Sequence, residues 1–130
     1  MSYYKVTEWK NGLYRITSPE CVFMDLIVGE DKALLFDTGW GIGKLKETVR
    51  EITDKPLIII NSHGHVDHVN GNTQFEEDIY IHPKDMELCK AHSCAQMRQF
   101  MLMPLETAHA IPDDFDKEVF LLGGAGSLKP

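Results

Sequence analysis

Three histidines and one aspartate lie within six residues, in the segment 62–68 with the sequence SHGHVDH. Imidazole nitrogens and carboxylate oxygens are good ligands for zinc, and also for iron and manganese. In an extended loop, residues two apart point the same way, so His63, His65 and Asp67 are expected to converge. His68 is then expected to face a second centre. One loop histidine is usually a polar surface residue, but this set and spacing favour a metal site.

The elements before this segment are predicted to place it at the end of a strand. It directly follows Leu57–Ile60, a short apolar run typical of a strand buried on both faces. The Asn11-Gly12 pair between two apolar runs predicts a hairpin. Apolar residues at helical spacing predict a helix over residues 44–52. Strands are predicted in the hairpin at residues 6–9 and 13–16, and at 22–28, 33–36, 79–81 and 119–122.

The second half of the chain predicts one long helix. Residues 84–103 contain neither Gly nor Pro, and Pro104 is expected to end the helix. The sequence GGAG at 123–126 predicts a turn. Strands come first, and helices and strands alternate afterwards, which indicates an α/β fold with a mixed sheet. Residues 37–43 form a glycine-rich loop that contains Trp40, which we expect to be a packing residue rather than part of the mouth of the site.

The pattern His-x-His-x-Asp-His, with Gly71 three residues later, resembles the signature of the metallo-β-lactamase superfamily. Leu34–Gly39 (LLFDTG) resembles the strand that precedes that signature in the family, and the resemblance runs from about Val6 to Leu128. It implies an α/β fold, with α+β-like character, that is half of the family's αββα sandwich. The expected architecture is a single truncated domain over residues 1–130, with a mixed, mainly antiparallel sheet flanked by helices.

The resemblance also implies roles for the residues. His63 and His65 would bind a first metal ion, and Asp67 and His68 would bind a second. Asp67 would in addition be catalytic, orienting the attacking hydroxide or accepting its proton. Asp37 would not bind metal but would form hydrogen bonds near the histidine segment and fix its shape. The implied cofactor is one or two zinc ions, with iron and manganese as alternatives. The implied reaction is attack by a metal-bound hydroxide on a small-molecule ester, amide, thioester or phosphodiester.

The sequence departs from the family because the later metal ligands are not recognisable. His82, His92 and His109 do not match their pattern and are expected to be surface or capping residues. We therefore expect the chain to be either part of a longer enzyme or a short protein that dimerises. Two alternatives to a hydrolase stay open: a non-catalytic module that keeps the fold, and a di-iron redox domain. The redox branch of the family usually has Glu where this chain has His65, which favours hydrolysis.

Composition limits the classes of partner that this chain is expected to bind. The chain has 13 basic and 20 acidic residues, a net charge of −7, and no run of Lys and Arg, so no nucleic-acid partner is expected. Cys21, Cys89 and Cys94 have no disulfide-framework spacing and are expected to be free thiols. The start of the chain, Met1–Trp9, has no apolar signal segment, and no apolar run is long enough to cross a bilayer. We therefore expect a cytoplasmic protein without a membrane partner.

Overall fold

A computed structural model describes residues 3–130, so the first two residues of the polar Met1–Trp9 segment lie outside the described part. Seven strands form one sheet in which strands that follow each other along the chain are neighbours. They are β1 (Lys5–Lys10), β2 (Leu13–Thr17), β3 (Phe23–Val28), β4 (Ala33–Phe36), β5 (Leu57–Ile60), β6 (Asp78–Tyr80) and β7 (Ser127–Lys129). The helices are α1 (Leu45–Ile52), α2 (Val66–Val69), α3 (Met86–His92), α4 (Ala95–Thr107) and α5 (Lys117–Leu122).

The sheet changes direction at β4. Strands β1 to β4 pair antiparallel, and β4 to β7 pair parallel, so the predicted mixed sheet is confirmed. The Asn-Gly hairpin is also present. Gly12 adopts φ 83°, and a Cβ there would lie 2.7 Å from the carbonyl oxygen of Val28, so the turn packs against the end of β3.

The parallel half determines where the histidine segment lies. Because β4, β5 and β6 run the same way, their carboxyl ends meet at one edge of the sheet. Asp37 follows β4, the histidine segment follows β5, and His82 comes shortly after β6. Backbone hydrogen bonds continue beyond the strands, from Asp37 N to Ile60 O and from Asn61 N to Tyr80 O, both 2.8 Å. The edge is therefore ordered up to the first residues of each loop.

One face of the sheet holds the main core. Met24, Leu35, Ile59 and Ile79 are fully buried there. Of the α1 side chains that helical spacing predicted, Leu45 and Val49 are fully buried and Ile52 is partly buried against the same core. Burial of this apolar surface is the main driving force that holds α1 on the sheet. Trp40 packs in a second cluster with α4 and α5, as expected for a packing residue.

The opposite face of the sheet is apolar and largely open in the described chain. Ile58 is 38% exposed, so the prediction that β5 is buried on both faces is wrong for this chain. The alternation of side chains along strands brings the exposed residues to one side. We call this surface the open sheet face; its large exposed members are Phe23, Ile27, Phe36, Ile58 and Tyr80.

Two predictions in the second half of the chain were wrong. Residues 119–122 lie in α5 rather than in a strand, because the Asp116 side chain accepts a hydrogen bond from Val119 N (3.1 Å) and caps a helix. The long helix is divided at Ser93–Cys94 into α3 and α4, and α4 runs through Pro104 to Thr107. Strand β7, after the glycine turn, was not predicted.

Arg98 explains the break between the two helices. Its side chain is fully buried, and its guanidinium donates to the carbonyl oxygens of Ser93 (2.9 Å), Asn70 (3.3 Å), Phe120 (3.3 Å) and Gly124 (2.9 Å). The bond to Ser93 satisfies a carbonyl oxygen that has no helical partner, at the point where α3 ends and the chain turns. Burial lowers the pKa of Arg98 to about 10, so the group stays charged at neutral pH. It joins α4, α5 and the segment after the histidines.

We expect Arg98→Met to lower the free energy of unfolding by about 3 kcal/mol or more, because four carbonyl oxygens, three of them in buried hydrogen bonds, lose their donor. Urea unfolding measures this. The control is Lys90→Met, since Lys90 forms an exposed pair with Glu87 and should contribute less than about 1 kcal/mol. Equal losses in the two variants would contradict the role given to Arg98.

Candidate metal centre

The histidine segment leaves β5 in extended conformation and then becomes helical. His65 has φ −70° and ψ 147°, and α2 begins at the next residue. The extended conformation that the sequence predicted through Asp67 therefore ends at His65. Asp67 and His68 lie in helix α2 instead. The His63 ring lies 4.8 Å from that of His65 and 4.3 Å from that of His68, measured between centroids. Asp67 Oδ2 lies 3.6 Å from His68 Nε2.

Asp37 connects the ends of β4 and β5. Its carboxylate is buried and accepts hydrogen bonds from Ser62 N (2.7 Å), Ser62 Oγ (2.7 Å) and His68 Nδ1 (2.9 Å). Its backbone has φ 70°, a left-handed conformation that Asp tolerates better than most residues. The structure therefore brings Asp37 into direct contact with the histidine segment.

Counting protons along this network assigns the tautomers of two histidines. The single hydroxyl proton of Ser62 is donated to Asp37, so Ser62 Oγ is free to accept from His63 Nδ1, 2.8 Å away. His68 donates its Nδ1 proton to the same carboxylate. In this assignment both rings carry their proton on Nδ1 and have a lone pair on Nε2. A ring in that state is ready to bind a metal through Nε2.

A network of buried polar side chains lies next to the histidine segment. Thr38 Oγ1 donates to Asn72 Oδ1 (2.6 Å), and Asn61 and Asn72 exchange side-chain hydrogen bonds of 3.1 and 2.8 Å. Gly71 packs so closely against the backbone that a Cβ would clash with the carbonyl oxygen of Thr38. No side chain fits at that position, which gives a packing reason for the glycine after the motif.

The donors present fit a metal in chemistry but form an incomplete set. Within residues 3–130, no group of three or more His, Cys, Asp or Glu side chains is arranged to hold a metal ion. Cys89 packs behind the segment, and burial raises the pKa of its thiol, which disfavours the thiolate that metals bind. The centre as described therefore offers part of a coordination sphere, with Nε2 of His63 and of His68 available.

The remaining histidines lie in different places. His82 Nδ1 accepts from Lys84 N (3.2 Å), which is the capping role expected for it, and His109 is in an exposed segment after α4. His92, expected to be a surface residue, contacts the centre instead: its ring stacks on His65 with centroids 5.6 Å apart. Sequence reasoning missed His92, Ser62 and Asp85. Ser62 adjoins the motif, whereas no local signal identified the other two.

Comparison with known proteins identifies the family. The family model described as the metallo-β-lactamase superfamily matches residues 22–126. The chain belongs to the metallo-β-lactamase superfamily. No curated protein sequence matches it.

Solved metallo-β-lactamases share the fold of this superfamily member at low sequence identity. The DIM-1 enzyme exposed to ceftazidime is 16% identical, with TM-score 0.59, over 68% of this chain and 47% of that one. The enzyme from Hirschia baltica is 20% identical, with TM-score 0.56, over 66% and 46%. The mono-zinc form of FIM-1 from Pseudomonas aeruginosa is 17% identical, with TM-score 0.52, over 66% and 45%.

The match covers only part of these relatives. The chain spans between 33% and 49% of the length of the solved structures it resembles. The matched part includes the strand before Asp37, the histidine segment and the helices after it. Across the described residues, no helix is long and apolar enough to cross a membrane.

The tautomer assignment gives a prediction for Asp37. In Asp37→Ala we expect mixed tautomers of His63 and His68, because Asp37 accepts the Nδ1 proton of His68 directly and fixes the Ser62 hydroxyl that accepts from His63. Imidazole ¹⁵N chemical shifts without added metal measure this. Stability should also fall, by about 1 kcal/mol more than in Asp37→Asn, since Ala is strained at positive φ and Asn is not.

Asp37→Asn is the matched control because it keeps one acceptor oxygen and the left-handed conformation. We expect it to retain more of the Nδ1-protonated tautomer than Asp37→Ala does. Wild-type tautomers in the alanine variant would contradict the hydrogen-bond chain through Asp37 and Ser62.

Proposed function

We propose that this chain carries the amino-terminal ligands of a zinc-dependent hydrolase centre. The observation that carries the proposal is the set of hydrogen bonds that engage Nδ1 of His63 through Ser62 and Nδ1 of His68 through Asp37, so that Nε2 is the ring nitrogen each has left for a metal. Membership of the superfamily supports a hydrolase-type fold. A related structure of FIM-1 is described as a mono-zinc form, which supports zinc over other metals.

The roles proposed for the ligands follow their grouping. His63 and His65 would hold a first metal ion, and His68 with Asp67 would hold a second. When bound, zinc would supply a hydroxide at neutral pH and stabilise negative charge on an ester, amide, thioester or phosphodiester. Asp67 is partly exposed beside His68 Nε2, a position from which it would orient that hydroxide or accept its proton.

Two alternatives remain as competing functions. A di-iron redox domain is disfavoured because His65 stands where that branch usually has Glu. A non-catalytic module would keep the fold and the motif without turnover. Metal identity separates the redox alternative from the hydrolase, and turnover separates the non-catalytic alternative.

We expect the purified chain to contain zinc, up to about two ions per chain, and to hydrolyse at least one simple ester, lactone, thioester or phosphodiester. Elemental analysis of protein prepared without chelator measures the metal. Asp67→Ala should reduce any turnover by about 100-fold or more, because one residue would both bind metal and handle the proton. Iron in place of zinc would favour the redox alternative.

The matched control for Asp67→Ala is Asp54→Ala, at an exposed aspartate just after α1. We expect that variant to keep wild-type zinc content and turnover. Wild-type turnover in Asp67→Ala would refute the role given to Asp67. A chain with no zinc and no turnover would support the non-catalytic alternative.

We further propose that, in the isolated 130-residue chain, a second copy covers the open sheet face. The chain spans less than half of the matched structures, and its ligand set is incomplete without further residues. The face carries Arg15 and Asp25, but they pair with each other at 2.9 and 3.0 Å, so covering them leaves neither charge unpaired. Exposed apolar faces of this kind promote association.

Sedimentation equilibrium tests this association. We expect a dimer for the chain and a shift toward monomer in Ile58→Glu, which places a charge in the middle of the face. Phe100→Glu is the control, because Phe100 is an exposed apolar residue on α4 and should not alter the equilibrium. A stable monomer in the wild-type chain, or equal effects of the two variants, would refute the dimer.

A further inference from the structure

The backbone N–H groups of the two residues between the proposed ligands both donate hydrogen bonds to side chains. Gly64 lies between His63 and His65, and its N–H donates to Asp85 Oδ2 at 2.8 Å. Val66 lies between His65 and Asp67, and its N–H donates to His92 Nδ1 at 3.1 Å. Both acceptors come from the same part of the chain, more than twenty residues downstream.

Helix α3 forms a support behind the histidine segment. Asp85 immediately precedes the helix, and His92 is its last residue, so the two acceptors lie at opposite ends of one rigid element. Gly64 sits against its backbone: a Cβ there would lie 2.7 Å from Cys89 N and 2.9 Å from Asp85 O. The glycine therefore lets the segment approach α3 closely enough for the Asp85 bond.

His92 also contacts a proposed ligand directly. Its ring stacks on the ring of His65 at an interplanar angle of 21°. His65 is exposed, and no hydrogen bond to Asp37 or Ser62 orients it as those residues orient His68 and His63. The stack and the bond to Val66 N therefore restrain a part of the segment that the hydrogen bonds of Asp37 and Ser62 do not reach.

We propose that Asp85 and His92 are positioning residues that fix the histidine segment for metal binding. This inference rests on the proposed metal function and deepens it. The Asp85 carboxylate makes a charge-assisted bond to Gly64, which restrains the backbone between His63 and His65. His92 restrains the backbone after His65 and limits the rotation of its ring. Loss of residues that orient metal ligands typically weakens metal affinity by about 10–100-fold.

Conservative variants separate the hydrogen bond from the ring contact. Asp85→Asn keeps an acceptor for Gly64 N–H, whereas Asp85→Ala removes it. His92→Asn places an amide oxygen near the position of Nδ1 but removes the ring, and His92→Phe keeps a stacking ring but removes the acceptor. Because the variants in each pair also differ in side-chain volume, urea unfolding of all four variants separates a general loss of stability from the effect of the lost contact.

Cobalt binding is the decisive measurement. With Co²⁺ as the probe, we expect Asp85→Ala and His92→Phe to bind about tenfold or more weakly and to show altered visible absorption bands. Asp85→Asn and His92→Asn should stay closer to the wild-type affinity and spectrum. Wild-type affinity and spectrum in both Asp85→Ala and His92→Phe would overturn the proposal. Equal large losses in His92→Asn and His92→Phe would overturn the hydrogen bond to Val66 as the means by which His92 acts, since a direct ligand behaves in that way.

Amide hydrogen exchange of the metal-free protein distinguishes this inference from the proposed function. If the wild-type chain binds no Co²⁺, the metal function fails for this polypeptide, but exchange at Gly64 and Val66 still reports how the segment is held. We expect faster exchange at Gly64 in Asp85→Ala than in Asp85→Asn, and faster exchange at Val66 in His92→Phe than in His92→Asn. Unchanged exchange in all four variants would overturn the positioning role.

Discussion

The carboxylate of Asp37 is the contact on which the geometry of the centre depends. It stands at the end of β4 and accepts three hydrogen bonds, two from Ser62 at the end of β5 and one from His68 in α2. A buried carboxylate without donors would be costly, so these bonds and the fold require each other. A left-handed backbone at a non-glycine residue costs on the order of 1 kcal/mol, and the surrounding bonds hold it in place.

The parallel half of the sheet makes this contact unavoidable. The register pairs Phe36 with Ile60, so the residues that follow each strand emerge side by side. Antiparallel pairing of the same two strands would send Asp37 and Ser62 to opposite edges. The crossover through α1 makes β4 and β5 parallel, and this direction brings the loop after each strand to the same edge of the sheet.

Local chemistry made much of this predictable from sequence. The ligand types, the strand before them and the Asp-Thr-Gly turn are close together in the chain, and the strands up to β5 and helix α1 followed from apolar spacing. Residues 119–122 were harder, because a run of four apolar residues fits either a strand or a buried helix. The cap from Asp116 determines the helix. The break before α4 depends on Arg98, whose partners span distant segments that no local window contains.

The same difference between local and distant contacts separates the proposed ligands from the residues that contact them. The proposed ligands can be recognised in the sequence because they lie in one short segment, whereas Asp85 and His92 contact that segment through hydrogen bonds across 21 and 26 residues. Those contacts also limit what this edge of the sheet can offer a metal. Asp37, His82 and Asp85, which follow β4 and β6, already accept backbone or side-chain protons. If a metal binds here as proposed, the donors that would complete its coordination would therefore come from residues beyond the loops at this edge.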